Sequence, residues 1–155
     1  MVRKIIYFLA FAEGASVLAV ELLSTKMLSP FYGSSLVVWT TVIGITLFAL
    51  TCGYFVGGIL SQKYNDKNLI YFIITAASLC IAAMPMVGEW IMSSTLHLGI
   101  YFALIISSLF FVFPPLFICG MVPIVLIKYA VDSVVDSGKK SGNIYAASTF
   151  GGIMS

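Results

Sequence analysis

The chain has 155 residues, of which 61% are hydrophobic and 9% are charged, and its formal net charge is +2. A soluble domain carries roughly 25% charged residues. This composition, with a mean hydropathy of +1.09, therefore excludes an ordinary soluble protein and predicts an integral membrane protein. The small net charge gives no indication of a nucleic-acid partner, and we expect none.

The apolar runs predict an all-α fold, a polytopic transmembrane helix bundle that forms a single domain over residues 1–155. Four runs are long enough to cross a bilayer, and a fifth apolar segment begins at about residue 143. That segment extends only about 18 Å as a helix, so we expect the chain to be part of a longer protein or to assemble with other chains. The predicted spanning helices cover residues 5–23, 36–60, 69–87 and 98–128.

The first predicted helix carries two carboxylates, Glu13 near its middle and Glu21 near its end. An ionisable side chain at mid-membrane costs about 2.5–3.5 kcal/mol on insertion scales, so each carboxylate needs a partner charge, water, a cation or a proton. Helical geometry places the two about 80° apart in azimuth and about 12 Å apart along the axis. Gly14 lies close to the azimuth of Glu21, and such a small residue favours close helix packing.

Two interpretations of each carboxylate stay open. Glu13 is either a protonated side chain that hydrogen-bonds to a neighbouring helix or a site for a cation or proton. Glu21 either pairs with Lys26, five residues later, or joins Glu13 in holding a cationic ligand. Two carboxylates at this separation would suit a long diamine, so a polyamine-like cation is one candidate ligand.

Small residues and prolines shape the later helices. Gly53 and Gly57, four residues apart in the second helix, favour a tight helix–helix seam. A proline pair removes backbone hydrogen bonds and bends a helix, so we expect the fourth helix to break near residues 113–119. The valines of the polar stretch 131–142 have one-sided helical spacing, which favours a short interfacial helix. The prolines within the fourth predicted helix are Pro114, Pro115 and Pro123.

The distribution of basic residues predicts the orientation of the chain. If the N-terminus is cytoplasmic, seven basic residues lie inside and only Lys26 lies outside, which is a clear positive-inside bias. We therefore predict a multi-pass protein of the plasma membrane with its N-terminus inside. The seven are Arg3, Lys4, Lys63, Lys67, Lys128, Lys139 and Lys140.

The sequence offers no catalytic constellation. Its three cysteines lie in separate apolar runs without metal-ligand spacing, and its one histidine, His97, cannot supply both ligands of a bis-histidine haem. We therefore predict no metal site, no cofactor and no catalytic residue, and we do not expect the chain to be an enzyme. The cysteines are Cys52, Cys80 and Cys119.

Three stretches of the chain carry a resemblance to known membrane proteins, namely residues 21–28, residues 31–60, and residues 115–123 with 142–151. Together they resemble the membrane domain of a bacterial family, the fused transporter-like (major-facilitator-like)/spermidine synthase proteins. The run from Glu21 to Leu28 is similar to that family's Glu-x-x-x-x-Arg-x-Leu, with Lys26 in the place of Arg. Residues 31–60 resemble its second helix. Residues 115–123 and 142–151 resemble its proline-rich fourth helix and the opening of its fifth, with Ser148 where Asn is usual.

The resemblance implies a bacterial inner-membrane module that belongs with polyamine-type proteins. The soluble aminopropyltransferase domain of the family is absent from this chain, so no catalytic residue is carried over. Two functions are therefore expected. The first is an anchor or scaffold in the lipid bilayer for a partner domain or another protein chain. The alternative is a module that binds or transports a polyamine-like or other cation through Glu13 and Glu21.

Overall fold

The computed structural model describes residues 2–64, 68–95, 97, 99–131 and 137–155. The elements in these ranges are six α-helices. Helices α1, α2, α3 and α5 are long and apolar enough to cross a membrane, which confirms the predicted class of a transmembrane helix bundle. The helices are α1 (Val2–Tyr32), α2 (Leu36–Lys63), α3 (Asn68–Thr95), α4 (Ile100–Phe111), α5 (Phe113–Ala130) and α6 (Ser137–Met154).

Helix α1 continues nine residues beyond the predicted end at Leu23. Its polar last turns stay helical because hydroxyl groups bond back to carbonyl oxygens one turn earlier. Thr25 donates to Glu21 at 3.1 Å, and Ser29 donates to Thr25 at 2.8 Å. Pro30 is tolerated within the final turn, and Gly33, with φ of 81°, then donates its N–H to the Ser29 carbonyl oxygen and ends the helix.

The fourth predicted helix is two helices, α4 and α5, and the break falls at Val112, directly before the predicted region of residues 113–119. Pro114 and Pro115 stand at the start of α5, where their missing N–H groups cost least. The carbonyl oxygens of Phe110 and Phe111 consequently lose the donors that a continuous helix would supply. Pro123 lies inside α5. At 12 residues, α4 is apolar but too short to span a bilayer alone.

Helix α6 begins at Ser137 and not at about residue 143. The polar stretch before Asn143 is therefore part of this helix from Ser137 onward, while residues 132–136 of the proposed interfacial helix lie outside the described part of the chain. Lys139 and Lys140 fall in the first turn of α6, at the end of the bundle where α1 also begins.

The helices share two apolar clusters, one toward each end of the bundle. The first contains Val20, Leu28 and Met92, and the second contains Ala10 and residues near the start of α3 and α6. Consecutive crossings alternate in direction, so α2 and α5 are parallel and their ends meet. Lys128 of α5 confirms this, because its ammonium group donates to the carbonyl oxygens of Ser61 and, at 2.9 Å, Tyr64 at the end of α2.

Close backbone contact between helices occurs at glycines. A Cβ atom at Gly53 of α2 would overlap the carbonyl oxygen of Phe117 in α5, and one at Gly57 would lie 2.9 Å from the Cα of Met121. A Cβ atom at Gly14 of α1 would overlap the carbonyl oxygen of Ser148 in α6. The structure thus places Gly14, Gly53 and Gly57 in two helix–helix seams, where any larger side chain would push the helices apart.

Candidate functional site

Glu13 lies in the interior of the bundle. It occupies α1 between Ala10, which belongs to one apolar cluster, and Val17, which packs against the other. Only 9% of its surface is exposed. The two apolar clusters therefore enclose one carboxylate between them, at the level where an ionised group is most costly.

The carboxylate has a hydrogen-bond donor on a distant part of the chain. The Ser148 hydroxyl group of α6 donates to Oε2 of Glu13 at 2.8 Å. The contact depends on the glycine seam, because Gly14 and Gly151 let the backbones of α1 and α6 approach closely. In the described ranges no other side chain donates to Glu13, so its second oxygen, Oε1, is left without a donor.

Two cavities open on either side of Glu13. The first, here the α3–α5 cavity, has a volume of about 220 Å³ and lies between α1, α3 and α5. Its lining residues are Leu9, Ala12, Glu13, Ser16, Ile74, Ala77, Ser78, Ile81, Cys119 and Val122. The second, here the α2–α6 cavity, has a volume of about 280 Å³ and lies between α1, α2 and α6. It is lined by Glu13, Gly14, Val17, Leu18, Leu50, Tyr54, Ser148, Thr149, Gly152 and Ile153.

The described residues around Glu13 include polar groups but no positively charged side chain. Tyr54 lines the α2–α6 cavity together with Glu13, and Cys119 lines the α3–α5 cavity together with Glu13. Neither cavity has a lysine, arginine or histidine among its described lining residues. An ionised Glu13 would therefore have no counter-charge among these described residues, and a proton or an external cation would neutralise it.

Glu21 and Lys26 do not join this site. Glu21 is half-buried two turns further along α1 and lines neither cavity, and Lys26 is exposed. Across the described part of the chain Glu21 forms no ion pair with Lys26. Five residues of helix correspond to an azimuthal offset of about 140°, which turns the two side chains to different sides of α1. The structure thus brings together Glu13 and Ser148, and it does not bring together Glu13, Glu21 and Lys26.

The described residues hold no group of three or more His, Cys, Asp or Glu side chains that could bind a metal ion. The three cysteines are free thiols on three different helices, namely Cys52, Cys80 and Cys119. The chemistry available at the site is therefore that of a carboxylate, hydroxyl groups and aromatic rings, which suits the binding of a proton or a cation.

A second polar cluster, absent from the predicted site residues, lies at the C-terminal end of α1. The hydroxyl groups of Tyr32, Thr95 and Ser107 form a triangle with oxygen–oxygen distances of 2.8 to 3.1 Å. Ser107 is fully buried and Tyr32 is 8% exposed. This hydroxyl triangle joins the ends of α1 and α3 to α4, and because each oxygen bonds to the other two it is a structural tie.

No protein-family model, curated protein or solved structure matches the chain. The resemblance to the fused transporter-like/spermidine synthase proteins therefore stays a prediction. The residue that sequence reasoning missed is Ser148 as the partner of Glu13. The sequence could not pair the two residues, because their contact depends on how α6 packs against α1.

Proposed function

We propose that this chain is an integral membrane module that holds a cation at Glu13, within the helix bundle. One observation carries the proposal: a buried carboxylate stands between two cavities, and among the described residues it has a single neutral hydroxyl donor, Ser148, and one oxygen without a donor. A side chain with a purely structural role would be expected to have both oxygens satisfied by neighbouring helices.

The competing explanation is a permanently protonated Glu13 that serves only to join α1 and α6. The two explanations differ in what happens when cations are added. A binding site exchanges the proton of the carboxyl group for the cation, whereas a structural carboxyl group keeps its proton. Infrared difference spectroscopy separates these states because protonated and ionised carboxyl groups absorb at different frequencies.

The experiment uses the full chain in detergent, with sodium, potassium and methylammonium chlorides as probes. We expect at least one probe to convert the protonated carboxyl band into carboxylate bands, with release of a proton that a pH indicator detects. The change should vanish in Glu13→Gln. It should persist in the control Glu89→Gln, since Glu89 is exposed near the end of α3. A carboxyl band that stays unchanged with all three probes would refute the proposal.

An anchoring or scaffold role is the second candidate function. It is favoured by the exposed face of α6, where Tyr145, Phe150 and Met154 are 40–66% exposed and available to lipid or to another chain. An aminopropyltransferase-type partner domain would agree with the family resemblance. In this case a soluble reporter fused to the chain should stay in the membrane fraction equally well in the wild type and in the Glu13→Gln variant. Activity of the assembled complex should not depend on Glu13.

A further inference from the structure

The two cavities beside Glu13 differ in what they could hold. The α3–α5 cavity is the smaller and contains Cys119, Ser16 and Ser78 around its carboxylate. The α2–α6 cavity is larger, and its lining adds the aromatic ring of Tyr54 to the carboxylate and to a wall of aliphatic side chains. A carboxylate, an aromatic ring and an apolar wall together are complementary to an amine that carries an apolar body.

We propose that the α2–α6 cavity binds a singly charged organic ammonium ion, with its ammonium group on Glu13 and its apolar body against Leu18, Leu50 and Ile153. The inference rests on the proposed function and narrows it to a ligand class and to one of the two cavities. An ammonium group donates up to three hydrogen bonds, and Oε1 of Glu13 is an acceptor for which the described part of the chain offers no donor.

The lining argues against a bare metal ion as the ligand. Hard cations such as Ca²⁺ take six to eight oxygen ligands, and Mg²⁺ requires a near-octahedral set. The polar side chains on the described wall are Glu13, Tyr54, Ser148 and Thr149, and the Ser148 hydroxyl group already donates to Glu13. An ammonium ion needs fewer oxygen atoms, and its carbon atoms gain from contact with the apolar wall.

The charge of the site argues against a diamine or polyamine. Glu13 is the one carboxylate among the described residues that line either cavity, and Glu21 lines neither. The second ammonium group of a diamine would therefore enter an apolar region without a counter-charge, which is strongly unfavourable. The volume of about 280 Å³ also favours a small molecule, because sites for drug-sized ligands start at roughly 300 Å³.

Three probes with one shared aromatic body test the ligand class: benzylammonium, neutral benzyl alcohol and the doubly charged para-xylylenediammonium. Binding to the full chain in detergent is measured by saturation-transfer NMR and by the shift of the unfolding temperature. We expect benzylammonium to bind at least about tenfold more tightly than either of the others. Equal or tighter binding of the neutral or the doubly charged probe would overturn the inference.

Two matched substitutions test the cavity. Thr149 and Ser78 are both exposed hydroxyl residues that line one cavity each, so a phenylalanine at either position fills one cavity and leaves the other open. Thr149→Phe should weaken benzylammonium binding by at least about tenfold, and Ser78→Phe should change it by less than about twofold. The opposite pattern would overturn the assignment to the α2–α6 cavity.

A milder variant, Tyr54→Leu, tests the same cavity if Thr149→Phe does not fold. Tyr54→Leu keeps an apolar wall but removes the ring, and should weaken benzylammonium binding by about fivefold without changing the weak binding of benzyl alcohol. Equal affinity in Tyr54→Leu and wild type would contradict the inference. If methylammonium still displaces the Glu13 proton while benzylammonium does not bind, the proposed function stands and this inference fails.

Discussion

At the scale of single residues, Glu13 depends on a side chain that is 135 positions away in the sequence. Helical periodicity can place a carboxylate on the buried side of α1, but the donor is determined by how α6 docks. That docking depends on Gly14 and Gly151, which let two backbones meet. The hydrogen bond between Glu13 and Ser148 is therefore a tertiary feature, and substitutions at either residue should report on the same contact.

Ser148→Ala should destabilise the bundle by about 1–3 kcal/mol when Glu13 is ionised, because the carboxylate then loses its hydroxyl donor. The thermal unfolding of the protein in detergent measures the effect. The control is Thr149→Ala, which shortens the neighbouring exposed residue and should cost less than about 0.5 kcal/mol. In the Glu13→Ala background Ser148→Ala should lose most of its effect. Equal costs in both backgrounds would show that the hydrogen bond contributes nothing.

The hydroxyl triangle provides a second test at this scale. Tyr32→Phe removes one of the three hydroxyl groups and leaves Thr95 and Ser107 bonded to each other at 2.8 Å. Because two partners remain satisfied, the expected loss is modest, about 0.5–2 kcal/mol. Tyr101→Phe is the matched control, since Tyr101 is 68% exposed and should change the unfolding temperature little. A larger loss in Tyr101→Phe would argue against the triangle as a tie.

At the scale of helices, the seam between α2 and α5 is set by glycine. Gly53→Ala should destabilise the protein by about 2 kcal/mol or more, because the added methyl group would meet the backbone of α5 rather than a flexible side chain. Gly44 of the same helix has no heavy atom within 4 Å of an added Cβ. Gly44→Ala should therefore be neutral or stabilise α2 by up to about 1 kcal/mol.

Circular dichroism during unfolding in a denaturing detergent measures both glycine variants under identical conditions. The comparison cancels the general preference of a helix for alanine over glycine, since both positions lie in α2. A Gly53→Ala variant as stable as Gly44→Ala would contradict close backbone contact at the glycine seam between α2 and α5.

At the scale of the whole molecule, the sequence was sufficient to predict the class of fold and the number of long apolar helices. Hydropathy and length determine these directly. The predicted end of α1 was wrong by nine residues. Hydroxyl groups that bond within the helix keep the polar segment after Leu23 helical. The start of α6 was missed for a similar reason, since Lys139 and Lys140 are tolerated in a first helical turn outside the apolar region. The partner of Glu13 required the packed bundle.

The orientation of the whole molecule remains a prediction of the positive-inside rule. In a variant without its native cysteines, a cysteine introduced at Ser34, between α1 and α2, should react with an impermeant maleimide added outside the cell. A cysteine at Gly138, in the first turn of α6, should react only after the membrane is permeabilised. The reverse labelling pattern would place the N-terminus outside and would assign the basic end of the bundle to the outer surface.

The separation of Glu13 from Ser148 also affects how the protein is made. At ordinary translation rates of about 5–20 residues per second, their separation of 135 positions corresponds to a delay of roughly 7 to 27 seconds. During that interval α1 has no Ser148 to meet its carboxylate, and the charged form is strongly disfavoured in lipid. The first helix is therefore expected to enter the bilayer with its proton attached, and to acquire a binding-competent carboxylate only when α6 arrives.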